Sequence, residues 1–365
     1  MLKNVTPTAR TAVVTFSFFV AASVVSTSAL AADNWVQQGS NINGETASDE
    51  SGTSVSLSGD GSTVAIGSPN YDGVNGGASG QVRVYTWNGS AWDQQGLDIE
   101  GKAKEDKSGT SVSLSGDGST VAIGAPFNDG NSDDSGQVRV YDWSGSAWVQ
   151  RGDPMNGESA GDEFGTSVSL SGDGSTVAIG APFNGGSGVD SGQVRVFTWN
   201  ASNDEWDQQG LDIDGEDAGD LSGSSVALSG DASTVAIGAP GNDQEGRNSG
   251  QVRVYAWGSS SWVQRGSDIN GEAADDEFGD SVSLSDDGST VAIGAPFNGD
   301  NGNNSGQVRV FTWDASNDEW DQRGSDIDGE AAGDTSGRAV SLSGDGSIVA
   351  IGAPNNEANG IQSGQ

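Results

Sequence analysis

The chain is 365 residues long, with 52 acidic and 15 basic residues, a formal net charge of −37, and neither histidine nor cysteine. That charge excludes grip on nucleic acid phosphates or anionic lipid, both of which are held through Lys and Arg. The missing imidazole and thiol exclude the Ser-His-Asp triad, the Cys-His pair, disulfides and His- or Cys-ligated metals, so any chemistry must come from carboxylates, hydroxyls, Tyr, Lys or Arg.

Residues 1–31 read as a secretory signal: Lys3 and Arg10 form a basic region, 11–25 an apolar core, and Ala29-Leu30-Ala31 a cleavage site. The apolar core is too short to span a bilayer comfortably. Its removal leaves 13 basic against 52 acidic residues, a net charge of −39, on a mature segment of 32–365 that is secreted or held at the cell surface.

Beyond residue 31 one phrase recurs. Trp35, Trp92, Trp148, Trp206, Trp262 and Trp320 each open W-[VD]-Q-[QR]-G, at steps of 56 to 58 residues, with S-V-S-L-S, D-G-S-T-V-A-I-G-A-P and S-G-Q-V-R-V-[YF] between them. A period of this size with several short apolar runs predicts a propeller or similar stacked array, because one unit cannot bury its own faces. In the third unit, 166–171 alternates apolar and polar, as a strand with one packed face does. Gly172-Asp173-Gly174 predicts a hairpin. Residues 176–180 are almost continuously apolar, as expected of a strand covered on both faces, and Ala181-Pro182 ends it. After a polar loop, 193–199 forms a third strand with Val194 and Val196 on one face and Arg195, Phe197 and Trp199 on the other. A turn at 200–204 leads to a fourth strand, 206–209. The expected fold class is all-β, a β-propeller of four-stranded antiparallel blades. Six units are present; the last reaches Ser363-Gly364-Gln365 where the others continue into V-R-V, so the sequence is expected to be cut short there, with the strand at Trp35 completing the final blade.

V-A-I-G-A-P after a glycine-bounded strand resembles the FG-GAP repeat, the blade unit of the integrin α-subunit head and of many bacterial and marine surface proteins, here in its short-looped branch. The resemblance covers 34–365. Gly-Ala-Pro stands in five of six units, with Gly67-Ser68-Pro69 in the first; Phe-Gly is kept at Phe164-Gly165 and Phe278-Gly279, and Ser replaces Phe elsewhere. It implies a propeller over 32–365, with seven blades allowed in a full product. It also implies, for the integrin type, calcium in the hairpin between the first two strands through D-x-D-x-D-G-x-x-D. The hairpin here has one carboxylate, so Asp60, Asp117, Asp173 and Asp345 read as turn residues; only Asp286-Asp287 has two.

A second acidic pattern lies in the loop entering each blade. An oxygen-bearing residue (Asn43, Glu100, Asn156, Asp214, Asn270, Asp328) is followed six positions later by Asp49, Asp106, Asp162, Asp220, Asp276 and Asp334. Between them stand Glu45, Glu158, Glu216, Glu272 and Glu330, with Lys102 in the second unit. Two readings stand: a weak Ca2+ or Mg2+ site per blade, since calcium takes six to eight oxygens, or Asp capping backbone N–H groups of the loop. Lys102, Lys104 and Lys107 share one loop, where they would neutralise carboxylates in place of a cation.

Tryptophan pairs such as Trp143 and Trp148 read as interblade packing rather than sugar platforms, and Arg83, Arg139, Arg195, Arg253 and Arg309 as interblade partners of Asp. The loops between second and third strands vary, and supply candidate ligand contacts: Asn70, Tyr71 and Asp72; Asn128, Asp129 and Asn131; Asn184; Asn242, Asp243, Glu245 and Arg247; Asn298 and Asp300. Variable polar loops on one face of a rigid scaffold suit binding. The functional expectation is a secreted or surface, non-enzymatic propeller that binds extracellular protein or polysaccharide in adhesion, alone or as part of a longer chain, with no nucleic acid partner. The alternatives are a carboxylate-dependent glycan hydrolase or lyase and a structural module of a larger surface protein.

Overall fold

The computed structural model describes residues 36–357 and Gly364; the signal segment and Trp35 lie outside them. Five blades and the opening hairpin of a sixth follow one another along the chain. In the third blade, Ser167–Leu170, Thr176–Ala181, Gln193–Asn200 and Glu205–Gln208 form an antiparallel sheet in chain order. A two-residue fifth strand, Ile213–Asp214, was not anticipated. It exists because the fourth strand pairs only with Phe197 to Asn200, which leaves the edge of Gln193 and Val194 free; the chain turns at Gly210 and returns to that edge.

Register sets the two faces. Val168 opposes Ile179 and Leu170 opposes Val177, while Ile179 and Val177 oppose Arg195 and Phe197. This face packs on Ala122, Val138, Val140 and Met155 of the second blade. The other face, with Ala178, Val194, Val196 and Ile213, receives Val226, Leu228, Val235, Ile237 and Tyr255 of the fourth. Second strands are therefore buried on both sides, as their apolar runs predict. Each fully buried Val, Leu or Ile contributes about 1.5–3 kcal/mol, so the junctions, not the single sheets, hold the array together.

The serines of the first strands depart from expectation. Their alternation suggested one solvated face; instead they tie neighbouring blades. Ser167 Oγ donates to the Gly223 carbonyl at 2.8 Å, and Ser169 Oγ accepts from the Leu228 amide at 2.9 Å. The first bond recurs from Ser54, Ser111, Ser225 and Ser281. The second recurs at Ser56, Ser113 and Ser283; the fourth blade has Ala227 in that place. Gly180 must be glycine at this contact, since an added Cβ would stand 2.9 Å from the Gly223 carbonyl carbon and closer still to its oxygen.

The Trp pairs close the outer part of each junction. Trp143 and Trp148 lie 5.4 Å apart, and Trp148 Nε1 donates to the Gln95 carbonyl of the first blade at 2.8 Å, with Gly96 beneath the two rings. The glycine that ends W-[VD]-Q-[QR]-G is thus a seat for the next blade's indoles.

Residues 36–43 reproduce this arrangement ahead of the first blade. Trp92 Nε1 donates to the Gln38 carbonyl at 2.9 Å, Gly39 lies under Trp87 and Trp92, and Ile42 packs with Val64, Ile66 and Tyr85. The segment stands where an outer strand of a preceding blade would stand, and among the described residues no strand pairs with it.

Candidate functional site

The loops entering the blades and the loops between second and third strands meet on one face, as the strand reversals require. In the third blade, Gly219 and Leu221 donate to the carbonyls of Val189 and Asp190, and Asn184 Nδ2 donates to Asp162 Oδ2 at 3.0 Å. Around this meeting lies a cavity of about 580 Å³, lined among others by Glu158, Asp162, Phe183, Asp190, Asp212 and Asp214. Gln193 Nε2 donates to Asp214 Oδ1 at 3.2 Å. Two carboxylates are therefore held in place by amides, Asp162 by Asn184 and Asp214 by Gln193.

The residues expected to hold calcium divide between two structural tasks. The aspartates cap their own loops: Asp49 accepts from the Glu45 and Thr46 amides and from the Thr46 hydroxyl, and Asp162, Asp220, Asp276 and Asp334 accept from the amides of Ser159, Asp217, Ala273 and Ala331. Four of them also clasp an asparagine across the face, Asn184, Asn242, Asn298 and Asn356. The glutamates turn to arginine: Glu45, Glu158, Glu216 and Glu272 lie 3.4–3.8 Å from Arg83, Arg195, Arg253 and Arg309. The arginines were expected to meet Asp; these four meet Glu instead, Arg139 meets Tyr141 and Ser108, and all five reach the backbone of the segment that precedes their blade, with Arg195 donating to the Asn156 carbonyl at 2.7 Å. Among the described residues no three acidic groups come together as a metal cage. The hairpin implied by the integrin resemblance does not fit the ion either: Asp173 Oδ1 accepts from the Ser171 hydroxyl and from the hydroxyl and amide of Ser175, which closes the turn without one. Lys104 meets Glu105 at 2.6 Å on the surface, and Lys107 lies over the Phe127 ring.

Several candidate ligand contacts are internal. Asn128, Asn184, Asn242 and Asn298 are buried, and Asn131 Nδ2 donates to the Gly157 carbonyl. Asp72, Asp129 and Asp243 accept from the amides of Ala78, Asp134 and Asn248 within their own loops. Asn70 donates through its amide to the Asp49 carbonyl. Burial raises the Tyr71 hydroxyl's pKa, helped by Glu45 and Glu100. Glu245 and Asp300 bond through their amides to Ser249 and Asn298, while Arg247 stays exposed beside Asp275. Gln193 and Asp212 were missed by sequence reasoning. The signal for the first was present, since Gln precedes V-R-V in each of the five complete units.

Behind the cavity the arginine has two alternative settings. Where the unit carries Ser before its glycine, the third strand carries Tyr, and Arg139 donates to Tyr141 Oη at 2.6 Å and Ser108 Oγ at 3.0 Å. Where it carries Phe, the third strand carries Phe, and Arg195 stacks 4.2 Å from Phe164 and 5.6 Å from Phe197. Burial lowers the Arg195 pKa, while Glu158, Asp212 and Asp162 oppose that shift.

The FG-GAP repeat family matches residues 94–141, 156–197, 208–255 and 270–311. The chain belongs to the FG-GAP repeat family. The two glycines of that name are the ones that meet at each junction, as Gly180 meets Gly223. No curated protein matches the chain. Among solved structures it is similar to a Bacteroides uniformis protein assigned as a 6-phosphogluconolactonase, with a TM-score of 0.54 and 11% identity over 85% of this chain and 82% of that one. It is also similar to a periplasmic gluconolactonase of Pseudomonas aeruginosa, with a TM-score of 0.53 and 16% identity over 90% of this chain and 87% of that one. These likenesses concern the propeller-like fold. They correct the expectation of a non-enzymatic adhesion module: proteins sharing this architecture carry the names of hydrolytic enzymes, so the FG-GAP fold gives no ground for denying the chain an activity.

Proposed function

We propose that this FG-GAP protein is an exported hydrolase of small, uncharged, polyhydroxylated cyclic esters, acting in the cavity between the loops around Glu158, Asn184 and Asp214. The observation that carries the reading is the pair of amide-held carboxylates in one polar cavity. Asp214 is placed to take a proton from water as it attacks the ester carbonyl and to return that proton to the departing ring oxygen, a general-base role that carboxylates perform. The acidic lining repels phosphorylated or carboxylated substrates, which selects neutral ones. Two fold relatives are named for lactone hydrolysis, one of them as periplasmic, and the leader-like segment 1–31 fits export.

The test is proton release from glucono-1,5-lactone, measured above its spontaneous hydrolysis. Catalysis is expected with the unphosphorylated lactone, with much less on its 6-phosphate, and Asp214→Asn should lower kcat by about 10²-fold or more. A rate no greater than the spontaneous one, or one indifferent to Asp214→Asn, refutes the proposal.

A further inference from the structure

The third and fifth blades carry the same constellation on their loop face. Asp162, Asn184, Gln193, Asp212 and Asp214 of the one correspond to Asp276, Asn298, Gln307, Asp326 and Asp328 of the other. Asn184 and Asn298 clasp their aspartates alike, and Gln208 and Gln322 donate to Asp212 and Asp326 at 2.7 Å. The blades part at the loop position two residues after the asparagine, where the third has Gly186, the fourth Gln244 and the fifth Asp300; the backbone amide there donates to the asparagine Oδ1 in all three.

That position decides what the strand glutamine meets. In the fourth blade Gln251 Nε2 donates to Gln244 Oε1 at 2.9 Å. In the fifth, Gln307 Nε2 donates at 3.4 Å both to Asp328 Oδ1 and to Asp300 Oδ2. A carboxamide nitrogen has two N–H groups, so one serves the short strand's carboxylate and the other the loop's oxygen. In the third blade Gln193 Nε2 donates to Asp214 Oδ1 at 3.2 Å, while Gly186 has no side chain to bring a second acceptor. The backbone does not demand glycine here, since the Gly186 φ lies outside the left-handed region. Gly186 lines the cavity of about 580 Å³, so the place that Gln244 and Asp300 take in their own blades opens into it.

We infer that Gln193 holds the carbonyl oxygen of a neutral ligand in this cavity, and that the fourth and fifth blades carry copies of the site plugged by their own Gln244 and Asp300. That the carbonyl is an ester's rests on the hydrolase reading. Neutrality follows from Asp190, which stands where the fifth blade has Asn304; with Asp214 it repels a carboxylate placed like that of Asp300. As water adds to the carbonyl carbon and passes its proton to Asp214, the electron pair displaced onto the carbonyl oxygen meets the Gln193 N–H. The pair returns as the ring C–O bond breaks and the proton passes to the ring oxygen.

The full chain would be titrated calorimetrically with glucono-1,5-lactam, whose amide carbonyl resembles that of Gln244 and resists hydrolysis, beside lactone hydrolysis assays. Saturable binding is expected, weakened about tenfold or more by Gly186→Gln and by Gln193→Met. Gly186→Ala crowds Asp214 equally, its Cβ 2.9 Å from Asp214 Oδ1, but stops short of Gln193 and should weaken binding far less. Melting curves would establish which variants are folded, and either Gly186→Gln or Gln193→Met suffices. No binding to the unaltered chain at about 10 mM lactam, or equal loss in Gly186→Ala and Gly186→Gln, would overturn the inference. Lactam binding in the expected order without lactone hydrolysis would uphold it and sink the hydrolase reading; hydrolysis indifferent to Gly186→Gln would do the reverse.

Discussion

Gly180→Ala tests the reasoning about junctions most directly. The new Cβ would stand 2.9 Å from the Gly223 carbonyl carbon, against backbone that cannot rotate away, and would crowd the Ser167 hydroxyl. Overpacking of this kind costs about 1–3 kcal/mol. Displacing the 2.8 Å bond from Ser167 to Gly223 adds about 1 kcal/mol. A total of about 2–4 kcal/mol should lower the melting temperature by roughly 3–6 °C in a chain of this size. Hydrogen exchange should quicken first in the strands flanking that junction, because a stacked array can open at one interface. The matched control is Gly299→Ala, where no atom lies within 4 Å of the added carbon; it should leave stability unchanged or raise it by about 0.4–1 kcal/mol by restricting the unfolded chain. Calorimetric melting of the two variants side by side decides the matter. Equal transitions would mean that the glycine contact does not limit how closely blades approach.

Ala227→Ser should supply the hydroxyl that other blades offer to the following Leu amide, here Leu284, and raise stability by about 1 kcal/mol, read by chemical denaturation. Tyr141→Phe removes the acceptor from buried Arg139 and should cost about 1–3 kcal/mol, while adding Ser108→Phe should recover much of it by stacking the guanidinium as in the third blade; a double variant no better than the single refutes the pairing. The turn aspartates carry pKa values lowered by their hydrogen bonds, with Ser62 foremost at Asp60, Ser289 at Asp287, and Ser343 at Asp345, which falls from 3.8 to about 2. A lowered folded pKa stabilises above the unfolded value and loses that contribution as pH falls through the folded one, so stability should decline between about pH 4 and pH 2, and Asp60→Asn with Asp345→Asn should flatten that limb in acid melts. Calcium should raise the melting temperature no more than magnesium at equal ionic strength, as screening of a net charge of −37 predicts; a saturable, calcium-selective rise lost in Asp162→Asn would contradict the capping assignment.

The blades, their strand order and the faces of the third strand were legible because apolar periodicity and turn glycines act locally. The Trp pairs were read correctly as packing for the same reason, since each member recurs at a strand end. The task of Ser167 and Ser169 was not legible: polar alternation looks the same whether the face meets water or the next blade's backbone. The division of Asp162 and Glu158 was also hidden. Both stand in one acidic loop, and only the fold shows that one turns inward to its own amides and Asn184 while the other reaches Arg195. Gln193 carried no charge to draw attention, yet it holds Asp214.

The two arginine settings have a consequence for how such a chain changes over generations. Arg139, Ser108 and Tyr141 belong to one unit, as do Arg195, Phe164 and Phe197, so each set is inherited whole when a unit is copied. What crosses between units is nearly invariant: a glycine under two indoles, a serine on a glycine carbonyl, an arginine on a backbone carbonyl. Loss or duplication of one 56- to 58-residue unit would therefore bring together surfaces that already fit. Selection can adjust the face loops unit by unit, because the contacts that cross between units are nearly the same everywhere.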